Sequence, residues 1–423
     1  MIKKILHTFL TKIVSSIIGF LTIILISQSI GAEGKGEQSI FLFNIVILML
    51  FATLIGNSTL IYLTPRHKFS DLFFPAITWI ILSISALFLV FIFLPNILVL
   101  YPLELFIIAF LASITEVNTF VLIGKEKVRQ ANNLKLSSQL ISILFLFSLF
   151  LFDRFDNSYV YVISLLVGYS ISLFFGIYLL RDEYRNLKLP ILKDFLQMLK
   201  KLFRLGAIKQ VGSISQQMNA RLSFYLIAFY CGNKALGVFS NGISISEAVL
   251  MFGVSLALVQ YSKLSNIEDE VYAKRISVLM TKVNIIFTVL ALVFFSFLSK
   301  EVYVFLFGQE FADIRQVIQI LSVGILLLSI SSTFTQHFAS KGNFTIATSA
   351  SLVGLISTGV FGFWLVPIYG IWGAAITTVI SYSVSFSVEY YYFKKWTNTR
   401  FSDFLISKQD IKEFSSLVKG LIK

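Results

Sequence analysis

The residues best suited to chemistry lie between Gly206 and Tyr230, in the stretch GAIKQVGSISQQMNARLSFYLIAFY. On a helix, Gln210, Ser213, Gln217 and Arg221 follow one another in steps of three, four and four, so they share a face. Lys209 and Gln216 flank that face, and Ala207, Val211, Ile214, Met218 and Leu222 form the opposite one. At about 1.5 Å per residue the stretch is long enough to cross a bilayer. A cation in the middle of a span is costly unless it faces protein or water, and Arg221 is too deep to reach the interface easily. The helix is therefore expected to line a polar cavity, where a guanidinium among amides would bind an anion by charge-assisted hydrogen bonds. The alternative is a buried ion pair that only fixes helix packing.

The whole chain must supply the elements that position this face. Its 423 residues are 57% hydrophobic and 13% charged, which excludes a soluble domain and fits an all-α polytopic membrane protein. The apolar runs are continuous and not alternating, which argues against a membrane β-barrel. The single cysteine, Cys231, excludes an intrachain disulfide, and the scattered His7, His67 and His337 form no metal constellation, so neither a metal nor a cofactor is expected. A net charge of +13 raises nucleic acid as a partner, but the basic residues lie in loops between spans and read as an orientation signal.

Twelve spans are expected, at 5–29, 39–63, 72–94, 103–124, 134–152, 159–180, 206–230, 236–261, 278–299, 314–337, 344–366 and 370–393. Lys3 and Lys4 before the first span resemble a cleaved signal, but the apolar region is too long and holds Lys12, so the span is read as retained. With both termini cytoplasmic, 26 of the 35 Lys and Arg residues fall inside and five outside, which sets the orientation. The break at 181–205 divides the spans six and six. This gives an N-terminal lobe at 1–180, an amphipathic linker at 181–205 lying on the anionic inner leaflet, a C-terminal lobe at 206–393 and a basic amphipathic tail at 394–423. Gly31 and Gly36 after span one match Gly232 and Gly237 after span seven, and Phe120-x3-Gly124 matches Phe338-x3-Gly342. The lobes therefore read as a parallel repeat.

Other charges fall inside the spans. Lys12 lies on span one, Glu116 on span four and Glu247 on span eight. Either carboxylate could pair with Arg221 or Lys12, or could take up and release a proton during transport. Lys282 is read as snorkelling, and Glu104 and Glu389 as interfacial. The positive balance of the deep charges suits an anionic substrate. The chain has no G-x4-G-K-[ST] phosphate loop and no carboxylate pair in an external loop, so no enzymatic chemistry is expected of it.

Several short motifs carry a family resemblance. They are Gly31-Ala-Glu-Gly-Lys-Gly-Glu, Leu236-Gly-Val-Phe-Ser-Asn-Gly-Ile-Ser-Ile-Ser-Glu247, Tyr261-Ser-Lys-Leu-Ser, Leu306-Phe-Gly-Gln-Glu-Phe311 and Leu365-Val-Pro-Ile-Tyr-Gly-Ile-Trp-Gly-Ala-Ala375. In order and spacing they resemble the Wzx-type polysaccharide flippases of the multidrug/oligosaccharidyl-lipid/polysaccharide exporter superfamily. The first loop lacks the proline common there. The resemblance implies a bacterial inner-membrane protein that moves undecaprenyl-pyrophosphate-linked oligosaccharide, an O-antigen, lipopolysaccharide or capsule precursor, from the inner to the outer leaflet. It also implies two six-helix lobes rocking about a cationic cavity, with a glycan polymerase and a chain-length regulator as protein partners. Arg221, Lys209 and Lys12 would then attract pyrophosphate or acidic sugars, and Gln210, Gln216, Gln217 and Asn44 or Asn57 would meet sugar hydroxyls. Two other readings stay open: a drug/cation antiporter of the same superfamily, for which an acidic cavity is expected, and a membrane-embedded glycan polymerase or transferase, for which larger external loops are expected.

Overall fold

The computed structural model describes residues 2–93, 98–151, 158–265 and 269–404. All regular structure among the described residues is helical. Nine helices there are long and apolar enough to cross a membrane. Three of them, Leu10–Ala52, Gln210–Ala257 and Thr345–Thr397, run to 43, 48 and 53 residues, about twice what one crossing needs. Each belongs to a helix that bends at one glycine: Gly31 in α1 (Ile2–Ala52), Gly232 in α8 (Leu192–Leu264) and Gly370 in α12 (Thr345–Thr397). Their φ angles of 65°, 83° and 57° lie in the left-handed region, which glycine enters without Cβ strain. The nine helices therefore accommodate twelve spans. The segments that sequence reads as external loops, GAEGKG and GNKALG, are helical on both sides of a single glycine.

Span two departs from a continuous helix in the other direction. α1 ends at Ala52, a tight turn covers Thr53–Ile55, and α2 (Asn57–Leu63) restarts after Gly56. Helix ends leave carbonyls unpaired. Here Trp79 Nε1 donates to the Phe51 carbonyl at 2.9 Å, and Gln210 Nε2 donates to that of Leu50.

The remaining helices are α3 (Phe69–Ile92), α4 (Pro102–Gly124), α5 (Val128–Leu151), α6 (Tyr159–Leu179), α7 (Arg181–Arg185), α9 (Glu270–Phe297), α10 (Lys300–Phe307) and α11 (Ile314–Ser340). Backbone contacts divide the chain into two compact units. The first runs to Ile214 and adds Ile227–Ser240 and Val304–Phe311; the second holds Ser215–Leu226, Asn241–Tyr303 and the chain from Ala312.

In the first unit α4 is central and packs on α1, α3, α5 and α6. Its Leu105, Ile108, Ala109 and Ala112 are fully buried because an apolar or small residue recurs at each turn. The linker is not set apart from span seven: α8 starts at Leu192 and continues without a non-helical residue to Gly232. Its Met198 and Leu202 are buried, and Phe203 meets the Trp79 ring at 5.3 Å, whereas Leu192, Leu196 and Leu205 stay exposed. The amphipathic tail read from sequence, beyond Phe404, lies outside the described residues.

The second unit is held by polar rungs as well as apolar packing. Ser277 Oγ meets His337 Nδ1 at 2.8 Å, Thr281 meets Thr333 at 2.7 Å, and Asn284 donates to the Ser329 carbonyl at 2.7 Å. These residues recur at helical spacing, so α9 and α11 are joined at successive turns, a mode of association that works in lipid, where apolar burial gives little net drive. Asn219 Oδ1 accepts from Thr358 Oγ1 at 2.8 Å and Ser381 Oγ at 2.6 Å, tying span seven to both arms of α12.

Candidate functional site

The bend at Gly232 folds the two arms of α8 back on each other, which brings Arg221 to Glu247. Arg221 Nη2 donates to Glu247 Oε2 at 2.5 Å, and each side chain keeps about a quarter of its surface exposed, 25% and 27%. The guanidinium carbon lies 5.0 Å from the centre of the Phe224 ring, within cation–π range. Arg221 Nη1 is buried and has no hydrogen-bond partner among the described residues. One carboxylate oxygen therefore fixes the guanidinium while one of its nitrogens keeps donor capacity. An arginine held this way can bind a further anionic or polar oxygen once its surroundings open to expose that nitrogen.

The other residues read from sequence take different places. Gln216 and Gln217 are exposed in the second unit. Gln210 belongs to the first unit and is 5% exposed, its amide committed to the Leu50 carbonyl where α1 breaks; this departs from a cavity-lining role. Asn44 is likewise buried, donating to the Leu98 carbonyl at 2.7 Å, and not placed to meet sugar hydroxyls. The side chains of Lys209 and Asn57 lie outside the described residues. Lys12 is exposed on α1, one turn from Ser15, whose hydroxyl donates to Gln139 Oε1 at 2.6 Å. Glu116 is 3.6 Å from Lys135 of α5, so its cation is neither Arg221 nor Lys12.

Two charges read as interfacial or snorkelling are buried instead. Lys282 is 8% exposed, because its face of α9 packs inward, and Glu389 is 6% exposed against α11.

Sequence reasoning also missed a buried cluster beside the Gly31 bend. Lys35 is 3% exposed, donating to Gln38 Oε1 and, at 3.0 Å, to Ser39 Oγ. Read as a loop cation, it is a helical residue whose ammonium is solvated by its own next turn; the Lys-x2-Gln-Ser spacing carries that signal. Nearby, Glu310 accepts from the Ala32 amide at 2.7 Å and from Lys234 Nζ at 2.6 Å. The Gly31 bend frees the Ala32 N–H from its helix, and Glu310 caps it.

With this geometry in view, comparison with known proteins decides the family. The chain matches the polysaccharide biosynthesis protein family over residues 1–252 and 243–417. It belongs to that family. This family member is 25% identical over 217 residues to the capsular polysaccharide biosynthesis protein CapF of Staphylococcus aureus, covering 51% of this chain and 54% of that one. It is 21% identical over 243 residues to a probable low-salt glycan biosynthesis flippase of Haloferax volcanii, covering 57% of this chain and 50% of that one. The chain thus spans about half the length of the curated relatives it matches.

Among solved structures, this polysaccharide biosynthesis family member is similar to lipid II flippase MurJ in an inward closed conformation, with a TM-score of 0.74, 18% identity and coverage of 94% of this chain and 88% of that one. An inward-facing multidrug resistance MATE family transporter of the MOP superfamily gives a TM-score of 0.68 at 14% identity, covering 91% and 94%. The fold is that of these membrane transporters: all-helical, multi-pass and two-lobed.

Proposed function

We propose that the chain flips an undecaprenyl-pyrophosphate-linked oligosaccharide repeat unit across the bacterial inner membrane, with both termini cytoplasmic, by alternating access through a cationic central cavity. The observation that carries this reading is Arg221: a membrane-helix guanidinium, fixed by Glu247, with one nitrogen left unpaired. Membership of the polysaccharide biosynthesis family supports a glycan as cargo. A phosphate oxygen is the partner for which a guanidinium is best shaped, and the exposed Gln216 and Gln217 offer amides to sugar hydroxyls. In sequence, Lys12 and Lys209 add two further cations to the spans. No bond is made or broken in this process, so the protein acts as a transporter and not as an enzyme. A glycan polymerase and a chain-length regulator would act on the product in the outer leaflet.

The test is leaflet-resolved. In a deletion strain the lipid-linked oligosaccharide should accumulate where only cytoplasmic-side reagents reach it. The intact gene should restore periplasmic labelling, and an Arg221→Ala copy should not. Accumulation already on the periplasmic leaflet would move the defect past translocation and refute the proposal.

A second reading, drug/cation antiport, is favoured by the likeness to MATE transporters. It predicts cationic-drug efflux from proteoliposomes, with no change in glycan on deletion.

A further inference from the structure

Among the described residues Glu116, Glu247 and Glu389 lie on membrane-spanning helices, and two of them have cations: Glu116 has Lys135 and Glu247 has Arg221. The third is Glu389, on the second arm of α12. It is 6% exposed, and its Oε1 accepts from Thr335 Oγ1 at 2.9 Å. Its Oε2 is buried, and neither it nor the hydroxyl of Ser331, itself 5% exposed, completes a hydrogen bond of full geometry among the described residues. Ser331 stands one turn from Thr335 on α11 and faces the same carboxyl. Around them lie aromatic rings: Phe334 and Phe393 stack with centroids 4.3 Å apart, and Phe386 and Tyr390 stack at 5.7 Å.

Among the described residues no charged side chain acts on this carboxyl. The charged and titratable groups on the packed elements are engaged elsewhere. On α11, His337 bonds Ser277 at 2.8 Å and Lys341 pairs with Glu270 at 2.8 Å. Asp403, beyond α12, lies 3.7 Å from Lys274 of α9. Arg275 and Lys282 of α9 have contacts of their own. Lys394 and Lys395, a turn further along α12, are exposed, and the first arm of α12 carries no charged residue.

We infer that Glu389, with Ser331 and Thr335, forms a proton-binding site between α11 and α12. An ionised carboxylate buried here has at most two hydroxyl donors and no cation among the described residues, fewer partners than make a buried charge tolerable, and such a group takes a proton instead. The proton turns Oε2 into a donor, and the Ser331 hydroxyl supplies the acceptor, so one added proton completes the bond between them. A metal cation would need several more oxygen ligands than these residues offer. Parting α11 from α12 admits water, restores the carboxylate's solvation and releases the proton. Together with the transporter reading, this makes Glu389 the group through which proton uptake biases the cycle, a role that neither Glu116 nor Glu247 is free to take while paired.

The test is infrared difference spectroscopy on the purified full chain in lipid nanodiscs. At neutral pH the wild type should show the carbonyl stretch of a protonated carboxyl, and Glu389→Gln should lose it while unfolding at the same temperature. Ser331→Ala should shift the band in a folded protein, which keeps the proposal testable should Glu389→Gln fail to accumulate. The pH dependence of transport should flatten in Glu389→Gln. Absence of the band in the wild type, or its persistence in Glu389→Gln, overturns the inference. So does stabilisation by sodium or potassium at fixed pH that Glu389→Gln abolishes, which would make the site a metal site. The spectrum needs no glycan substrate, so it fails or succeeds independently of the leaflet assay.

Discussion

The hydroxyls of Ser39 and Ser240 meet at 2.9 Å, although 201 residues separate them. The contacts beside them repeat with that same interval. A Cβ on Gly36 would lie 1.8 Å from the Asn233 carbonyl oxygen, and one on Gly237 would lie 1.8 Å from that of Ala32. Gly36 corresponds to Gly237 and Ala32 to Asn233, so the two bends touch each other reciprocally, as two copies of one bent hairpin do about a shared axis. The paired glycines that sequence shows as a weak repeat are therefore a seam where backbone meets backbone.

This seam gives the first prediction. Gly36→Val or Gly237→Val must push the bends apart and should destabilise the protein by about 1–3 kcal/mol, the usual cost of overpacking. Ser39→Ala leaves the close approach intact and should cost no more than about 1 kcal/mol. Thermal unfolding in detergent would show the ranking, and equal effects would refute the seam.

Glu310 has two tasks with separable energies. Its pair with Lys234 is exposed, 63% on the lysine and 42% on the glutamate, so Lys234→Ala should leave stability almost unchanged. Glu310→Ala also strips the cap from the Ala32 amide and should cost about 1–3 kcal/mol. Glu310→Gln retains an acceptor and should fall between them. Equal losses in Lys234→Ala and Glu310→Ala would show that the cap adds nothing.

The Arg221–Glu247 pair separates packing from binding. Glu247→Gln keeps an acceptor for the guanidinium and should leave protein levels near wild type. Arg221→Lys loses the fork that can hold Glu247 and a phosphate together, so it should impair transport at normal protein level. Should Arg221→Ala and Arg221→Lys both transport at wild-type rate, Arg221 would be a packing residue only. The leaflet assay reads this directly.

His67 makes the pH prediction. Lys201 on the linker portion of α8 reaches its Nε2 at 3.0 Å. The ammonium only donates, so His67 must accept and be neutral. Burial, and then the Lys201 charge, hold its pKa below the ordinary 6.5. A depressed folded value means the contact is at full strength above about pH 6.5 and is lost as pH falls through the folded value. Proteolytic nicking of the segment before Leu192 should therefore rise on acidification. His67→Gln should abolish that rise, and nicking independent of pH in the wild type would refute the switch.

Much of this protein is legible in its sequence because the bilayer imposes a coarse rule. Each crossing needs about 20 apolar residues, so the apolar runs mark the spans, and their flanking cations give the expected orientation. Arg221 was legible for the same reason, since a deep charge is rare and expensive. Tertiary structure decided what each polar residue does with its charge or hydrogen bonds. Gln210 looks like cavity lining until Gly56 breaks span two and leaves the Leu50 carbonyl to be satisfied. Lys35 looks like a loop cation until the Gly31 bend keeps its neighbours helical. Glu389 looks interfacial until α11 covers it. Hydropathy depends on residues near in sequence, whereas burial and pairing depend on which helices meet, and those meetings span up to 278 residues of chain.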